Sequence, residues 1–419
     1  MDLVHTSAFY SDSPTKKLAL CLFNRATYSR CKNLINELLR YPNIELDIYL
    51  SSSLLWETFG DAYKYIEKSH PKARFYKIPI EGPEFGHYAM AKQCGEITRL
   101  FAQAFEGKRP DAVILVADRF ETLGAAISAS YLNIPIIHLQ GGEITGNIDD
   151  KVRHAVTQLS DFHFVSTELA KKYLLQMGVD MTRVFNTGCP SVDVIRRNRI
   201  KRSHPKEKYF FCIFHPDTES SDQAYEQTKV VMDAVFEYAM RFRHRCYWYL
   251  PNPDPGREKI TEFLSTVMKE NADLVVKAVN EPPEEFLWRL GGARLVIGNS
   301  SCGIRECSYL GIPAINIGNR QRYRERFYNV MDVGFERGSI LEALETQHIA
   351  GRYPRSLLFG DGKAARAIAL YIQRIELNLR GPMTYPLWPE FREAHFGARR
   401  EEKIRKRTKL KDPVCTQSQ

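Results

Sequence analysis

The sequence predicts an α/β protein made of two doubly wound, Rossmann-like domains with a cleft between them, and three observations predict it. Short apolar runs alternate with longer amphipathic stretches along most of the 419 residues. The alternation restarts after a polar, basic link at 196–208. Polar clusters fall at the ends of the apolar runs in both halves. Strands alternating with helices imply a parallel sheet covered on both faces, and ligands of such sheets bind beyond the carboxyl ends of the strands.

The first set of predicted strands is Lys17–Phe23, Glu45–Leu50, Ala112–Val116, Pro135–Leu139, Phe162–Val165 and Val184–Thr187. The second is Tyr209–Phe214, Cys246–Leu250, Leu274–Val279, Leu295–Gly298 and Ala314–Ile317. Between them, Arg30–Arg40, Tyr88–Phe105, Thr122–Tyr131 and Gln223–Phe242 carry helical periodicity. The expected organisation is an unstructured start over 1–15, a first domain over 16–200, a second over 205–375, a helix at about 376–396 that completes the first domain, and a tail from 397 to 419.

Composition narrows the function. The chain is 44% hydrophobic and 26% charged, which suits packed cores. No apolar run approaches the roughly 20 residues that span a bilayer, and the first residues lack the order of a secretion signal. A soluble, cytoplasmic protein without membrane insertion is expected. Nine cysteines with no CxxC pair fit reduced thiols. Of the net charge of +9, +6 lies in 399–411, where eight basic residues face two acidic ones. The globular part is therefore not built as a nucleic-acid surface. There is no HExxH, no Walker loop and no G-x-G-x-x-G after a strand, so neither a metal nor a cofactor is expected.

The strand-end clusters carry the candidate chemistry. Val296 to Glu306 reads as a strand, a tight turn and a helix start, with Ser300, Ser301 and Gly303 in the turn; it is either a phosphate cradle or an ordinary connection. Arg25 opens the first helix, where a guanidinium can clamp a diphosphate or lie on the surface. Asp118-Arg119 follows a buried strand, and Asp118 is either an acid/base group or a helix cap. Glu143, Asp149 and Asp150 place three carboxylates close in sequence, near Arg153 and His154. Such a group either divides acid and base roles or forms a solvated loop and helix start. His215 ends the first strand of the second half, as a phosphate ligand, an acid or a structural hydrogen-bonder.

Taken together and in order, the motifs Asn24-Arg25-Ala26-x-Tyr28-Ser29, Asp118-Arg119-Phe120, His138-x-x-Gly141-Gly142-Glu143, Ile148-Asp149-Asp150, Gly188-Cys189-Pro190-Ser191, His215-Pro216, Gly298-Asn299-Ser300-Ser301-Cys302-Gly303-x-Arg305-Glu306, Gly318-x-Arg320-Gln321 and Gly360-Asp361-Gly362 closely resemble the UDP-N-acetylglucosamine 2-epimerase family, in its hydrolysing branch. The resemblance implies a GT-B architecture with a nucleotide sugar between two Rossmann-like lobes, and a homo-dimer or tetramer. It implies that Ser300 and Ser301 hold the diphosphate at the helix start, that Glu306 accepts from the ribose, that Arg25, His215 and Arg320 lie near the phosphates or hold the closed cleft, and that Ser29 and Gly303 bind substrate. Asn252 would line the nucleotide side, and Asp118, Arg119, the Gly-Gly loop and Asp149 the sugar side.

The implied reaction is loss of UDP with removal of the C2 proton, giving a 2-acetamidoglucal, then addition of water with protonation of the opposite face. UDP-N-acetylglucosamine would yield free N-acetylmannosamine for sialic-acid-type sugars; a related branch takes a 2,4-diacetamido-6-deoxy sugar linked to UDP or GDP. A non-hydrolysing 2-epimerase and a nucleotide-sugar-binding protein without catalysis are the alternatives. Some relatives carry a glutamate where this chain has Gln140. An amide exchanges no proton at neutral pH, so either Glu143 or Asp149 takes that role, or Gln140 only positions the sugar or water. The catalytic candidates are thus Asp118, Gln140, Glu143 and Asp149.

Overall fold

The computed structural model describes residues 14–378, apart from 202, 204, 252, 253, 279 and 280. The expected unstructured start (but for its last two residues), the tail and most of the expected helix at 376–396 lie outside the described residues, as does Asn252.

Two parallel sheets form. The first holds β1 (Lys16–Leu22), β2 (Ile44–Ser51), β3 (Arg74–Ile78), β4 (Ala112–Val116), β5 (Ile136–Leu139), β6 (Phe162–Val165) and β7 (Val184–Asn186), in the spatial order β3-β2-β1-β4-β5-β6-β7. The second holds β8 (Tyr209–Ile213), β9 (Arg245–Tyr249), β10 (Val275–Ala278), β11 (Val296–Gly298), β12 (Ala314–Ile317) and β13 (Val330–Val333), in the order β10-β9-β8-β11-β12-β13. Strand β1 shows why the runs are apolar throughout rather than alternating. Leu18, Leu20 and Leu22 enter one core layer and Ala19, Cys21 and Phe23 the opposite one, because helices cover both faces.

Two strands escaped the sequence reading. Both are edge strands: β3 has no buried residue, and β13 (Val-Met-Asp-Val) has an exposed aspartate. An edge strand has one unpaired side and needs no apolar run.

Strand order reverses between β1 and β4 in the first sheet and between β8 and β11 in the second. A crevice opens at each reversal because the flanking helices leave on opposite faces. Asn24-Arg25 follows β1 and Asp118-Arg119 follows β4; His215 follows β8 and Ser300-Ser301 follows β11. The four loops thus belong to two crevices that face each other. Close strand contact fixes the second one: at Gly298 (φ +133°) a Cβ would lie 2.2 Å from the carbonyl oxygen of Ile213.

The chain returns to the first sheet earlier than expected. Helix Ala364–Arg374 buries Ala364, Ala365, Ile368, Ala369 and Ile372 against Leu18, Leu20 and Leu22. The crossing helix therefore lies in residues that the sequence reading assigned to the second domain, and that assignment is corrected. Asp193 holds its start, accepting from the amides of Ala364 (3.0 Å) and Ala365 (2.6 Å). Lys16 holds its end, donating to the carbonyls of Ile372, Gln373 and Ile375. The Gly188 and Gly360 motifs meet here: a Cβ on Gly188 would lie 2.9 Å from the Cα of Gly360.

Candidate active site

The facing crevices enclose a cleft of about 430 Å³, a size that holds most of a nucleotide-sized ligand. Arg25, Ser29, Asp118, Arg119 and Asp149 line it from the first lobe, and His215, Ser300, Ser301, Glu306 and Arg320 from the second. Tyr249, Pro282, Pro283 and Phe286 add an apolar wall.

Each side chain is placed by its local structure. The helix Arg25–Leu38 begins with a capping box between Asn24 and Thr27, which sets Arg25, Ser29 and Arg30 on its first turns. Asp118 does not cap the next helix, which starts at Phe120 with Arg119 before it. It pairs instead with Arg153, and Arg153 also binds Asp150 and the carbonyl of Glu143. Asp150 is structural, accepting from the amides of Thr145 and Gly146. Asn147 caps the helix Ile148–Leu159, leaving Asp149 on its first turn toward the cleft. On the other side the amide of His215 donates to Asn299 and its carbonyl accepts from Asn299, both at 2.8 Å, tying β8 to the loop after β11.

The turn at Ser300-Ser301, expected to hold a diphosphate, differs from the expected helix start. A short 3-10 turn spans Ser301–Gly303, and the helix after it, Glu306–Leu310, has only five residues. So short a helix contributes little dipole. Positive charge at the site comes instead from Arg25, Arg30, Arg119, Arg320 and Arg324, all lining the cleft.

Two carboxylates in this setting have opposite proton affinities. Burial alone would raise that of Asp118, but Arg153 and Arg30 outweigh it and hold Asp118 anionic, well below the usual range. Burial and the negative charges of Asp118 and Asp254 push Asp149 up to about 7, against the pull of Arg320 and Arg119. Burial, with Arg320 and Arg119 nearby, depresses His215 to about 3, so its imidazole is neutral. Glu306 has a buried Oε2 without a hydrogen-bond partner within the protein, a position suited to a ligand hydroxyl.

Three expected site residues are not at the cleft. Glu143 is 6% exposed and sits between Arg305 (2.5 Å) and Arg324 (2.6 Å) of the second lobe. Burial would raise its proton affinity, but Arg305, Arg324 and Arg153 bring it down to about 2. A carboxylate so committed is a pin between the lobes, and its expected acid/base role is corrected. Gln140 donates to Cys189 Sγ at 2.9 Å and accepts from Arg305 at 3.3 Å, so it belongs to the same pin. Gly303 lies behind the turn, where a Cβ would meet Ala314 at 3.4 Å. The sequence reading missed Arg30, Arg324, Tyr65 and Glu281, which line the cleft. For Arg30 its place in the first helix, five residues after Arg25, was the available signal, and for Glu281 its place just past the predicted strand Leu274–Val279; Arg324 and Tyr65 stand in no strand-end cluster.

Two doubly wound sheets whose reversal points share an arginine-rich cleft define a two-lobe protein of the GT-B type. The family model described as UDP-N-acetylglucosamine 2-epimerase matches residues 58–373. The chain belongs to the UDP-N-acetylglucosamine 2-epimerase family, in its hydrolysing branch. It is 31% identical over 372 residues to the UDP-N,N'-diacetylbacillosamine 2-epimerase (hydrolyzing) of Legionella pneumophila, covering 87% of this chain and 97% of that one. It is 31% identical over 330 residues to the GDP/UDP-N,N'-diacetylbacillosamine 2-epimerase (hydrolyzing) of Campylobacter jejuni, covering 76% of this chain and 84% of that one. In fold it is similar to the UDP-GlcNAc 2-epimerase of Methanocaldococcus jannaschii, solved with UDP-GlcNAc and UDP, with a TM-score of 0.72 at 20% identity over 85% of this chain and 99% of that one. No helix among the described residues is long and apolar enough to cross a membrane.

Proposed function

We propose that this chain is a hydrolysing 2-epimerase that converts a UDP-linked 2-acetamido sugar into UDP and the free 2-epimer, with UDP-N,N'-diacetylbacillosamine as the first candidate substrate. The observation that carries the reaction is the pair Asp118 and Asp149 in one cleft, one held anionic and the other pushed up to about 7. The substrate choice rests on the two hydrolysing relatives, whose names specify that sugar.

The C2 proton of an intact sugar is a poor acid. Departure of UDP must therefore lead, leaving positive charge at C1 that acidifies C2. Arg25, Arg119 and Arg320, with the hydroxyls of Ser300 and Ser301, are the groups to take the developing charge of the diphosphate. Glu306 then takes the ribose hydroxyls through its unpartnered oxygen. With the leaving group stabilised, a weak base suffices, and Asp118 is the empty one at neutral pH. It receives the C2 proton as the C–H pair forms the double bond and the C1–O bond breaks. Hydration then needs an acid on the other face. Asp149, still protonated on a large fraction of molecules near neutrality, delivers a proton to C2 while water adds to C1 as hydroxyl and gives up its other proton to solvent. Asp118 releases its proton to solvent and Asp149 takes one up, restoring both.

The test is an NMR assay with UDP-N,N'-diacetylbacillosamine, UDP-N-acetylglucosamine and the GDP counterparts, run to a single turnover in deuterated water. Free UDP and a free 2-epimer carrying deuterium at C2 are expected, with the diacetamido sugar turned over fastest. Product with hydrogen retained at C2, or an intact nucleotide-linked epimer, would refute the elimination and hydration path.

A further inference from the structure

Arg119 and Arg320 come from different lobes and line the same cleft. Neither is held by the cleft itself. Arg119 donates from Nε to Glu121 at 3.0 Å and from Nη1 to Asp254 Oδ1 at 2.7 Å. Arg320 donates from Nη2 to the other oxygen of Asp254 at 3.4 Å. Asp254 is 3% exposed and stands behind the cleft wall rather than in it. Glu121 is anchored in turn by the hydroxyl of Ser52 at 3.1 Å. A single buried carboxylate of the second lobe therefore receives one guanidinium from each lobe, and the first-lobe guanidinium is pinned on its far edge by a first-lobe carboxylate.

We propose that Asp254 is a positioning residue that presents Arg119 and Arg320 together to the diphosphate of the substrate, so that the anion site is complete only when the two lobes are closed. The proposal rests on the function argued above. Its physical content is order of assembly. With the lobes apart, Arg119 keeps its bond to Glu121 but loses Asp254, and its free end moves in solvent. With the lobes together, both oxygens of Asp254 are occupied and the two side chains have fixed directions before the ligand arrives. A buried carboxylate that orders two cations also offsets their mutual repulsion while the cleft is empty. Asp254 touches no ligand in this scheme; it acts only through the two arginines.

Asp254→Asn keeps the shape and one acceptor but removes the charge. The expected result is that UDP binding, measured by calorimetry, weakens by about tenfold or more, and that kcat/KM for the nucleotide sugar falls by at least a similar factor, because the same two arginines meet the charge that develops on the leaving diphosphate. Asp254→Glu, which keeps the charge, recovers part of the affinity. Arg119→Lys keeps a cation that cannot bridge Glu121 and Asp254 at once, so it weakens UDP in the same way, and the double variant Arg119→Lys with Asp254→Asn is no weaker than the poorer single one. The proposal is overturned if UDP binds Asp254→Asn less than about tenfold more weakly than the wild type, or if the two single losses simply add. Should Asp254→Asn fail to fold, Asp254→Ser decides by the same threshold. UDP binding is read without turnover, so a wild-type protein that binds UDP but releases no sugar would defeat the proposed reaction while leaving this comparison intact.

Discussion

Asp118 and Asp149 face one cleft, and the negative charge of the first raises the proton affinity of the second. Arg153 and Arg30 keep Asp118 ionised at neutral pH, so the repulsion on Asp149 persists there. Two like groups thus become a base and an acid through burial and through the charges beside them.

The first prediction concerns pH. If Asp149 delivers the proton, it must be protonated, and kcat/KM should fall as pH rises above about 7, the value to which Asp149 is pushed. Asp149→Asn should lower kcat by roughly 10²–10⁴ while UDP still binds. A rate that climbs through neutrality, with the same loss on substitution, would reverse the roles of the two carboxylates.

Asp149 should also weaken the fold that carries it. Its folded proton affinity lies above that of the unfolded chain, so its contribution to stability is greatest at low pH and is lost as pH rises through about 7. Asp149→Asn is therefore expected to stabilise the protein by roughly 1–3 kcal/mol above pH 8 and by less at pH 6. Urea unfolding at the two pH values is the check, and equal gains at both would contradict it.

Glu143 should behave as a pin. Glu143→Ala strands Arg305 and Arg324 in the interior and should cost about 3–5 kcal/mol of stability. Glu143→Gln should lose less, with substantial turnover retained at reduced temperature. A Glu143→Gln variant as stable as the wild type but inactive would return Glu143 to the chemistry.

Acid should unfold the protein in two overlapping ranges. Burial lowers His70, His138 and His348 to about 4 and His215 to about 3. These groups are neutral in the fold and take up protons on unfolding, so their contribution is lost as pH falls from about 6.5 toward 4. Asp118 and Glu143, held below the usual range, lose theirs as pH falls below about 4. Stability measured against pH should show a net uptake of protons between pH 6 and 4.5, the four histidines outweighing the release from Asp149 and Asp193, both pushed up to about 7; a flat profile there would contradict the buried neutral histidines.

The strand pattern was legible because it is local. Burial on both faces leaves an apolar run wherever a central strand passes, and eleven of the thirteen strands carry one. The strand-end clusters were legible for the same reason: Arg25, Asp118, His215 and Ser300 each follow a strand next to a sheet reversal. Glu143 was misjudged because its neighbours in the chain, Gly141 and Gly142, match a ligand loop, while its partners lie in the other lobe.

By itself the sequence determined the two-sheet rhythm, the family and the polar residues at the strand ends, all set by contacts within a few positions. Only the tertiary structure decided which of those residues are spent on each other. Arg305 reaches Glu143 across 162 positions and Arg119 reaches Asp254 across 135. Ion pairs of that span leave no periodicity to read, because Coulomb attraction depends on distance in space and dielectric surroundings, and both exist only once the lobes have closed.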